Sequence, residues 1–368
     1  MAHQRPVVAV LFGGRSSEHA ISCVSAAGVL SAIDTYKYEV IAVGITKSGA
    51  WFVFDGAPEE LTIRDGALPE VRAVGREVRM SLDPHIRGFV AVDGKPLPDA
   101  FARVDVVFPV MHGPYGEDGT IQGALEFADV PCVGSGVFAS AAAMDKAHMK
   151  AMFGAHRLPI GAYEVISNAQ WVHHKPEVLK RVAGLGLPVF VKPTRAGSSL
   201  GVVKVKDAAQ LEDAINQART HDPKVIVEAA IEDAREIECG VLVRDGVAQA
   251  SVAAEIIVHG KHEFYDFEAK YLEDSADLVV PADLPAETLR EVQSLAIKAF
   301  DALDCEGFAR CDFFVKRNGE VILNEVNTLP GFTPISMFPR MWQSSGLSYS
   351  EIIDALILDA LRRGTGLR

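Results

Sequence analysis

Two short apolar runs near the C-terminal end, 310–315 (RCDFFV) and 321–328 (VILNEVNT), flank Arg317-Asn318-Gly319-Glu320, a stretch of turn formers. Runs of this length and composition, joined this way, predict an antiparallel hairpin. Side chains alternate across a strand, so Arg310 and Asp312 share one face of the first strand. Glu325 and Asn327 share one face of the second. A guanidinium, two carboxylates and an amide are thereby drawn together on an otherwise apolar hairpin. Buried carboxylates repel one another unless a cation or a proton lies between them. Hard oxygen donors with no Cys or His on that face favour Mg²⁺ or Mn²⁺. Mg²⁺ held by few carboxylates fills its shell with water and substrate phosphates, which points to a nucleotide. In isolation the same face reads as a solvated polar edge, and features upstream decide between the two.

The rest of the chain sets the frame. Its 368 residues suggest two or three domains at roughly 150 residues each. The composition, 49% hydrophobic and 23% charged, suits a soluble globular protein with a sizeable core. No apolar run approaches the ~18–20 residues of a membrane span. The N-terminal stretch MAHQRPVVAVLFGG reads as a first strand without a signal-peptide cleavage pattern, so a cytoplasmic location is expected. Cys23, Cys132, Cys239, Cys305 and Cys311 are scattered, with no C-x-x-C pair, and read as small core hydrophobes in a reducing compartment. A net charge of −13 argues against nucleic acid or an anionic membrane as partner. Local clusters of Lys and Arg can still bind small anions.

Residues 7–12 (VVAVLF) end in Gly13-Gly14 and are followed by Ser16-Ser17-Glu18 and a periodic segment from Ile21 to Leu30. That order predicts strand, glycine turn, serine N-cap and helix. With strands at Tyr38–Ile45 and Val104–Val110, the first ~130 residues read as an open α/β sheet of parallel strands. Residues 50–100 read as hairpin and loop. A second unit follows, with a helix from Asp145 to Arg157, strands at 189–192, 201–205 and 224–229, and a helix at 207–219. A third has strands at 236–243 and 249–258, a polar loop at 259–277, a helix at 286–303, the acidic hairpin and two terminal helices.

Upstream chemistry favours the nucleotide. Lys192 ends an apolar strand, and Pro193–Gly201 (PTRAGSSLG) supplies a Gly/Ser loop whose N–H groups and hydroxyls suit phosphates. It is not a P-loop, because the Lys precedes the glycines. Lys146 opens a helix and Glu228 ends a strand. Glu228 is placed to hydrogen-bond a ribose or base, though singly both residues read as surface charges. Glu18, at a helix N-terminus behind glycines, either stabilises that helix or holds a substrate ammonium. His112, after a strand and before GPYGEDG, lies where open sheets bind ligands. His173-His174 reads as a solvated helix start, and His259 with His262 has no metal-ligand company. The stretch 264–271 (FYDFEAKY) reads as a lid or an aromatic-anchored surface loop.

The motifs LFGGRSSEHAIS, MHGPYGEDGTIQG, MDK, VKPTRAGSSLGV, FYDFEAKY, RCDFFV and NEVNTLPGFTPISMFP, in this order over nearly the whole chain, resemble the D-alanine–D-alanine ligases of the ATP-grasp superfamily. The resemblance implies an α/β ATP-grasp fold of three units, 1–135, 136–230 and 231–368, with ATP between the last two. It implies ATP-phosphate contacts from Lys146, Lys192, Ser198 and Ser199, and adenosine or nucleotide contacts from Glu228, Ile231, Glu236, Lys270 and Asn324. Two Mg²⁺ (or Mn²⁺) would be held by Asp312, Glu325 and Asn327. Glu18 would take the ammonium of the first D-alanine, with His112 near its carboxylate. Arg310 and the Gly331 N–H would form an oxyanion site, Ser336 and Met337 would meet the second D-alanine, and Lys270 with Tyr271 would close over both. A hydrogen-bonded link from Tyr271 through Ser198 to Glu18 is also implied, as is a homodimer. Two positions depart from the pattern. Ala229-Ala230 stands where some members have a basic pair, and Ile335 where some have His. A D-serine or depsipeptide ligase, another carboxylate–amine ligase and a silent nucleotide sensor are the alternatives; the complete acidic set speaks against the last.

Overall fold

The computed structural model describes residues 5–64, 66–259 and 276–366. The first strand, Val7–Gly13, is buried along its whole length, as its unbroken apolar run requires. It pairs in parallel with Glu39–Ile45 and with Val106–Pro109, the three strands expected at the centre of the N-terminal sheet. Gly13 makes the turn possible. Its φ is +84°, and a Cβ there would lie 2.3 Å from the Ile45 carbonyl oxygen. The helix that follows spans His19–Ala32, and its N-cap is Glu18, not a serine. Ser16 acts earlier, its Oγ accepting the Glu18 N–H at 3.0 Å.

The sheet is mixed, not wholly parallel. Trp51–Val53, Glu77–Met80 and Phe89–Ala91 extend it antiparallel to give six strands. Each of these strands is only 3 or 4 residues long, too short for alternation to register against the Gly and Pro punctuation around it. The stretch 50–100 thus supplies half a sheet as well as loops.

A second sheet of four antiparallel strands runs Tyr163–Ile166, Val225–Ala229, Val189–Pro193, Val203–Val205. It has its own core, in which Trp171, Val178 and Ile215 from its helices pack on Val191 and Val227. The strand Tyr163–Ile166 and helices Asn168–His173 and Lys175–Ala183 lie in a stretch that the sequence left undivided. A 6-residue helix is under two turns, so its period cannot show. His174 is exposed and caps Lys175–Ala183, as a solvated helix start should.

The third sheet, five antiparallel strands, is ordered Ala276–Val279, Val247–Val258, Ala234–Arg244, Phe308–Lys316, Val321–Asn327. Helix Ala286–Ala302 packs on it. So do Val137–Met144 and Lys146–Ala155. The small-residue run 139–143 is therefore helical, and Asp145 breaks it by capping the next helix through the N–H groups of Ala147 and His148. The last helix, Tyr349–Arg363, returns to the N-terminal sheet, where Ile352, Ile353 and Leu356 join the core of Val8, Val10 and Phe108. Arg363 ties that seam, its Nη2 donating to the carbonyls of Cys132 at 3.3 Å and Gly134 at 3.1 Å. The five cysteines are free and four are buried, matching their reading as core residues. Among the described residues no helix is long and apolar enough to cross a membrane.

Candidate active site

Residues from all three sheets line one cavity of about 830 Å³. Glu18 and His112 enter from the N-terminal sheet, Lys146 from the start of its helix, and Lys192, Ser198, Ser199 and Glu228 from the four-stranded sheet. Ile231, Glu236, Arg310, Asp312, Asn324, Glu325, Asn327, Gly331, Ser336 and Met337 also line it. Lys270 and Tyr271 lie outside the described residues.

The hairpin has the expected register: Arg310 opposes Asn327 and Asp312 opposes Glu325. The ladder then slips, because Phe313 pairs with Leu323 and leaves Asn324 as the extra residue of a bulge. Strict alternation would turn Asn324 away from Glu325, whereas the bulge brings both to the cavity. Arg310 grips Asp312 with two bonds of 2.7 Å, Nε to Oδ1 and Nη2 to Oδ2, and its Nε is 3.2 Å from Glu238 Oε1. Burial opposes the guanidinium charge, but Asp312 and then Glu238 hold it firmly protonated. Asn327 donates to Asp312 Oδ2 at 3.1 Å, and Lys146 Nζ is 3.5 Å from Glu325 Oε2. Positive groups thus already gather on both carboxylates, and the donors are hard oxygens, a set that fits a divalent cation. Among the described residues no three Asp, Glu, His or Cys side chains group into a metal cage. A cation here would complete its shell with phosphate and water, as Mg²⁺ does.

The phosphate end is built around strand Val189–Pro193. Lys146 Nζ donates to the Ala196 carbonyl at 3.1 Å, tying the helix start to the Gly/Ser loop. In that loop Ser198 and Ser199 have φ of 49° and 57°. Two successive serines in the left-handed region are a local cost that the surrounding structure must hold. Ser198 donates to Glu18 Oε1, so the loop already touches the N-terminal unit. Glu228 turns its two oxygens to two lysines, Oε1 to Lys150 at 2.8 Å and Oε2 to Lys192.

At the other end, Glu18 is 8% exposed. Gly113 keeps room for it, since a Cβ there would meet Ser16 Oγ at 2.6 Å and Glu18 Oε2 at 3.1 Å. The Gly113 N–H bonds Glu117 Oε1 at 2.6 Å. Loss of water and then the nearby Glu18 push the Glu117 carboxyl up to about 8. Glu117 and Lys150 both line the cavity, and neither was singled out from sequence. Glu117 lay unremarked inside the GPYGEDG motif; for Lys150 the available signal was its place one turn after Lys146 on an apolar helix face.

His112 uses both ring nitrogens internally. Nδ1 donates to the Leu329 carbonyl at 3.1 Å, and Nε2 accepts from Ser25 Oγ at 2.9 Å. Burial pulls its pKa down to about 4, so the ring is neutral in the fold. The unfolded chain protonates His112 near pH 6.5, so its contribution is whole above that pH and is lost as pH falls towards 4. Between pH 7 and pH 4 the loss is about 3 kcal/mol, the size expected from that separation of pKa values. His112→Gln should therefore lose about 3 kcal/mol less than the parent over this range in urea unfolding. Equal acid losses would show that the ring is charged in the fold.

In the loop after the hairpin, Thr333 N donates to Ser336 Oγ at 3.0 Å, and Ser336 precedes helix Met337–Ser344. This holds the Ser336 hydroxyl beside Gly331, whose ideal Cβ position is 3.2 Å from it.

Comparisons with known proteins cover nearly the whole chain. Residues 7–135 match the family model "D-ala D-ala ligase N-terminus" and residues 152–358 match "D-ala D-ala ligase C-terminus". The D-alanine–D-alanine ligase of Mycobacterium avium is 53% identical over 373 residues, covering 100% of both chains. That of Streptomyces coelicolor is 51% identical, covering 99% of this chain and 95% of its own. The D-Ala:D-Ser ligase VanG from Enterococcus faecalis superposes with a TM-score of 0.84 at 35% identity, covering 96% of this chain and 99% of its own. The D-alanine–D-alanine ligase structure from Coxiella burnetii gives 0.81 at 32% identity, covering 98% and 94%. Family matches over both parts of the chain, the second of them containing the acidic hairpin, lead to one conclusion: this chain belongs to the D-alanine–D-alanine ligase family, with the ATP-grasp fold and the ATP and divalent-metal dependence of that family.

Proposed function

We propose that the chain joins two D-alanine molecules into D-alanyl-D-alanine through an acyl phosphate, releasing ADP and phosphate, the reaction that supplies peptidoglycan precursors. The observation that carries this reading is the facing of Arg310 and Asp312 with Glu325 and Asn327 across one cavity from Glu18. Residues 1–135 would present the first substrate, 136–230 the phosphate clamp and 231–368 the acidic hairpin, in a homodimer.

Glu18 would hold the first D-alanine by its ammonium, with the neutral His112 fixing the shape of the carboxylate end. Glu117, with its high pKa, would stay largely uncharged at neutral pH and spare the pocket a second full negative charge. The carboxylate oxygen attacks the γ-phosphorus and ADP leaves. Lys146, Lys192 and the N–H groups around Ser198 and Ser199 would steady the phosphates. Asp312, Glu325 and Asn327 would hold Mg²⁺, which when bound neutralises phosphate charge. The acyl phosphate is labile to water, which gives closure by Lys270 and Tyr271 its purpose. The neutral amine of the second D-alanine, placed by Ser336 and Met337, attacks the acyl carbon. Arg310 and the Gly331 N–H would stabilise the oxyanion until phosphate departs.

The likeness to a D-Ala:D-Ser ligase makes the second substrate the point to measure. With D-alanine and D-serine at equal concentration, ADP release should require D-alanine, and D-alanyl-D-alanine should dominate the products. ADP release independent of D-alanine would refute the reading; a D-alanyl-D-serine majority would reassign the second site.

A further inference from the structure

Lys150 is 3% exposed and sits one turn beyond Lys146 on helix Lys146–Ala155. A buried ammonium needs a partner. Lys150 Nζ lies 2.8 Å from Glu228 Oε1 and donates to the Asn324 carbonyl at 3.3 Å. Lys192 takes the other oxygen of the same carboxylate. One anion therefore joins two cations carried by different elements, and the triad has a net charge of +1. Burial opposes ionisation of Glu228, but Lys150 and Lys192 outweigh it and hold the carboxyl far below its usual range. Burial likewise opposes the Lys192 charge, and Glu228 more than restores it.

The sharing matters for phosphate. An ammonium paired alone with a carboxylate forms a neutral couple whose field largely cancels a few ångströms away. With Lys150 drawing on the same carboxylate, Glu228 cancels less of the Lys192 charge facing the cavity, where Glu325 and Glu236 also act on it. The Asn324 carbonyl adds a tie to the strand that carries Glu325, so one side chain sets the phosphate lysine against the acidic hairpin. We propose that Lys150 is a positioning residue for ATP: it engages one oxygen of Glu228 while Lys192 takes the other, leaving Lys192 oriented and charged toward the phosphates. The inference rests on reading Lys192 as a phosphate ligand.

A purely structural lysine gives a different result from a positioning one. Core ion pairs often tolerate replacement by apolar groups once no charge is left alone. Lys150→Met should raise KM for ATP about tenfold while kcat changes less than about threefold, the pattern of lost ground-state binding. Adding Glu228→Gln removes the anion that would neutralise Lys192, so the double variant's KM should lie within about threefold of that of Glu228→Gln alone. Assays follow ADP release at saturating D-alanine, with melting curves recorded beside them. An unchanged KM in a folded Lys150→Met, or a fall in kcat alone, overturns the proposal. Should Lys150→Met fail to fold, the double variant carries the test against Glu228→Gln alone. Agreement of their KM values within about threefold supports action through Glu228, and a tenfold gap overturns it. Lys192→Ala separates the two levels. If it leaves KM for ATP unchanged, the phosphate reading itself fails; if KM rises and Lys150→Met does nothing, only the inference fails.

Discussion

Arg310→Ala is expected to lower kcat about 10²–10³-fold, the loss found when an oxyanion donor is removed, with little change in KM for ATP. The guanidinium is held before any substrate arrives, through two 2.7 Å bonds to Asp312 and a 3.2 Å approach to Glu238. Such a group needs no reorganisation as negative charge grows on the acyl oxygen, so its effect falls on the transition state. Arg310→Lys should recover only part of the rate, since an ammonium keeps the charge but not the planar fork that Asp312 grips. Truncation also frees one side of Asp312, so the melting temperature must be followed with the kinetics. A variant that folds normally and changes only KM for ATP would make Arg310 a binding residue and end its assignment to the oxyanion.

The sequence carried this hairpin well because period two and a four-residue turn fix the register by themselves. Arg310, Asp312, Glu325 and Asn327 oppose one another as alternation demands. Asn324 reaches the cavity only through the bulge, which no alternating pattern foretells. The parallel centre of the N-terminal sheet was equally legible, because strands buried on both faces leave continuous apolar runs. Its antiparallel extension was not, since strands of 3 or 4 residues are shorter than the pattern used to detect them. The same limit concealed the strand Tyr163–Ile166. Helix Val137–Met144 was hidden differently: a stripe of Ala has no amphipathic contrast, and its burial against Phe153 and Leu303 is a tertiary fact. Site residues within the motifs converge on the cavity wherever the chain is described. Glu117 and Lys150 escaped because their meaning lies in partners distant in sequence, Glu18 for one and Glu228 for the other.

Glu325→Gln is expected to cost on the order of 10³-fold in kcat, since a metal ion's neutralisation of transition-state charge is worth several kcal/mol. The amide keeps the shape of the side chain, so the hairpin should stay folded; what changes is charge. Glu325 faces Asp312 across the ladder and draws Lys146 to 3.5 Å. Without its carboxylate, the site offers one anion where two faced each other, and Asp312 is already claimed by Arg310 and Asn327. Weaker Mn²⁺ binding, titrated by electron paramagnetic resonance in the presence of ADP, should accompany the kinetic loss. That second readout separates a metal ligand from a residue that merely orients Lys146. If Lys146 were the point of Glu325, Mn²⁺ affinity would hold and KM for ATP would rise. Full turnover of Glu325→Gln at saturating Mg²⁺, with Mn²⁺ affinity unaltered, would remove the carboxylate from the metal site altogether.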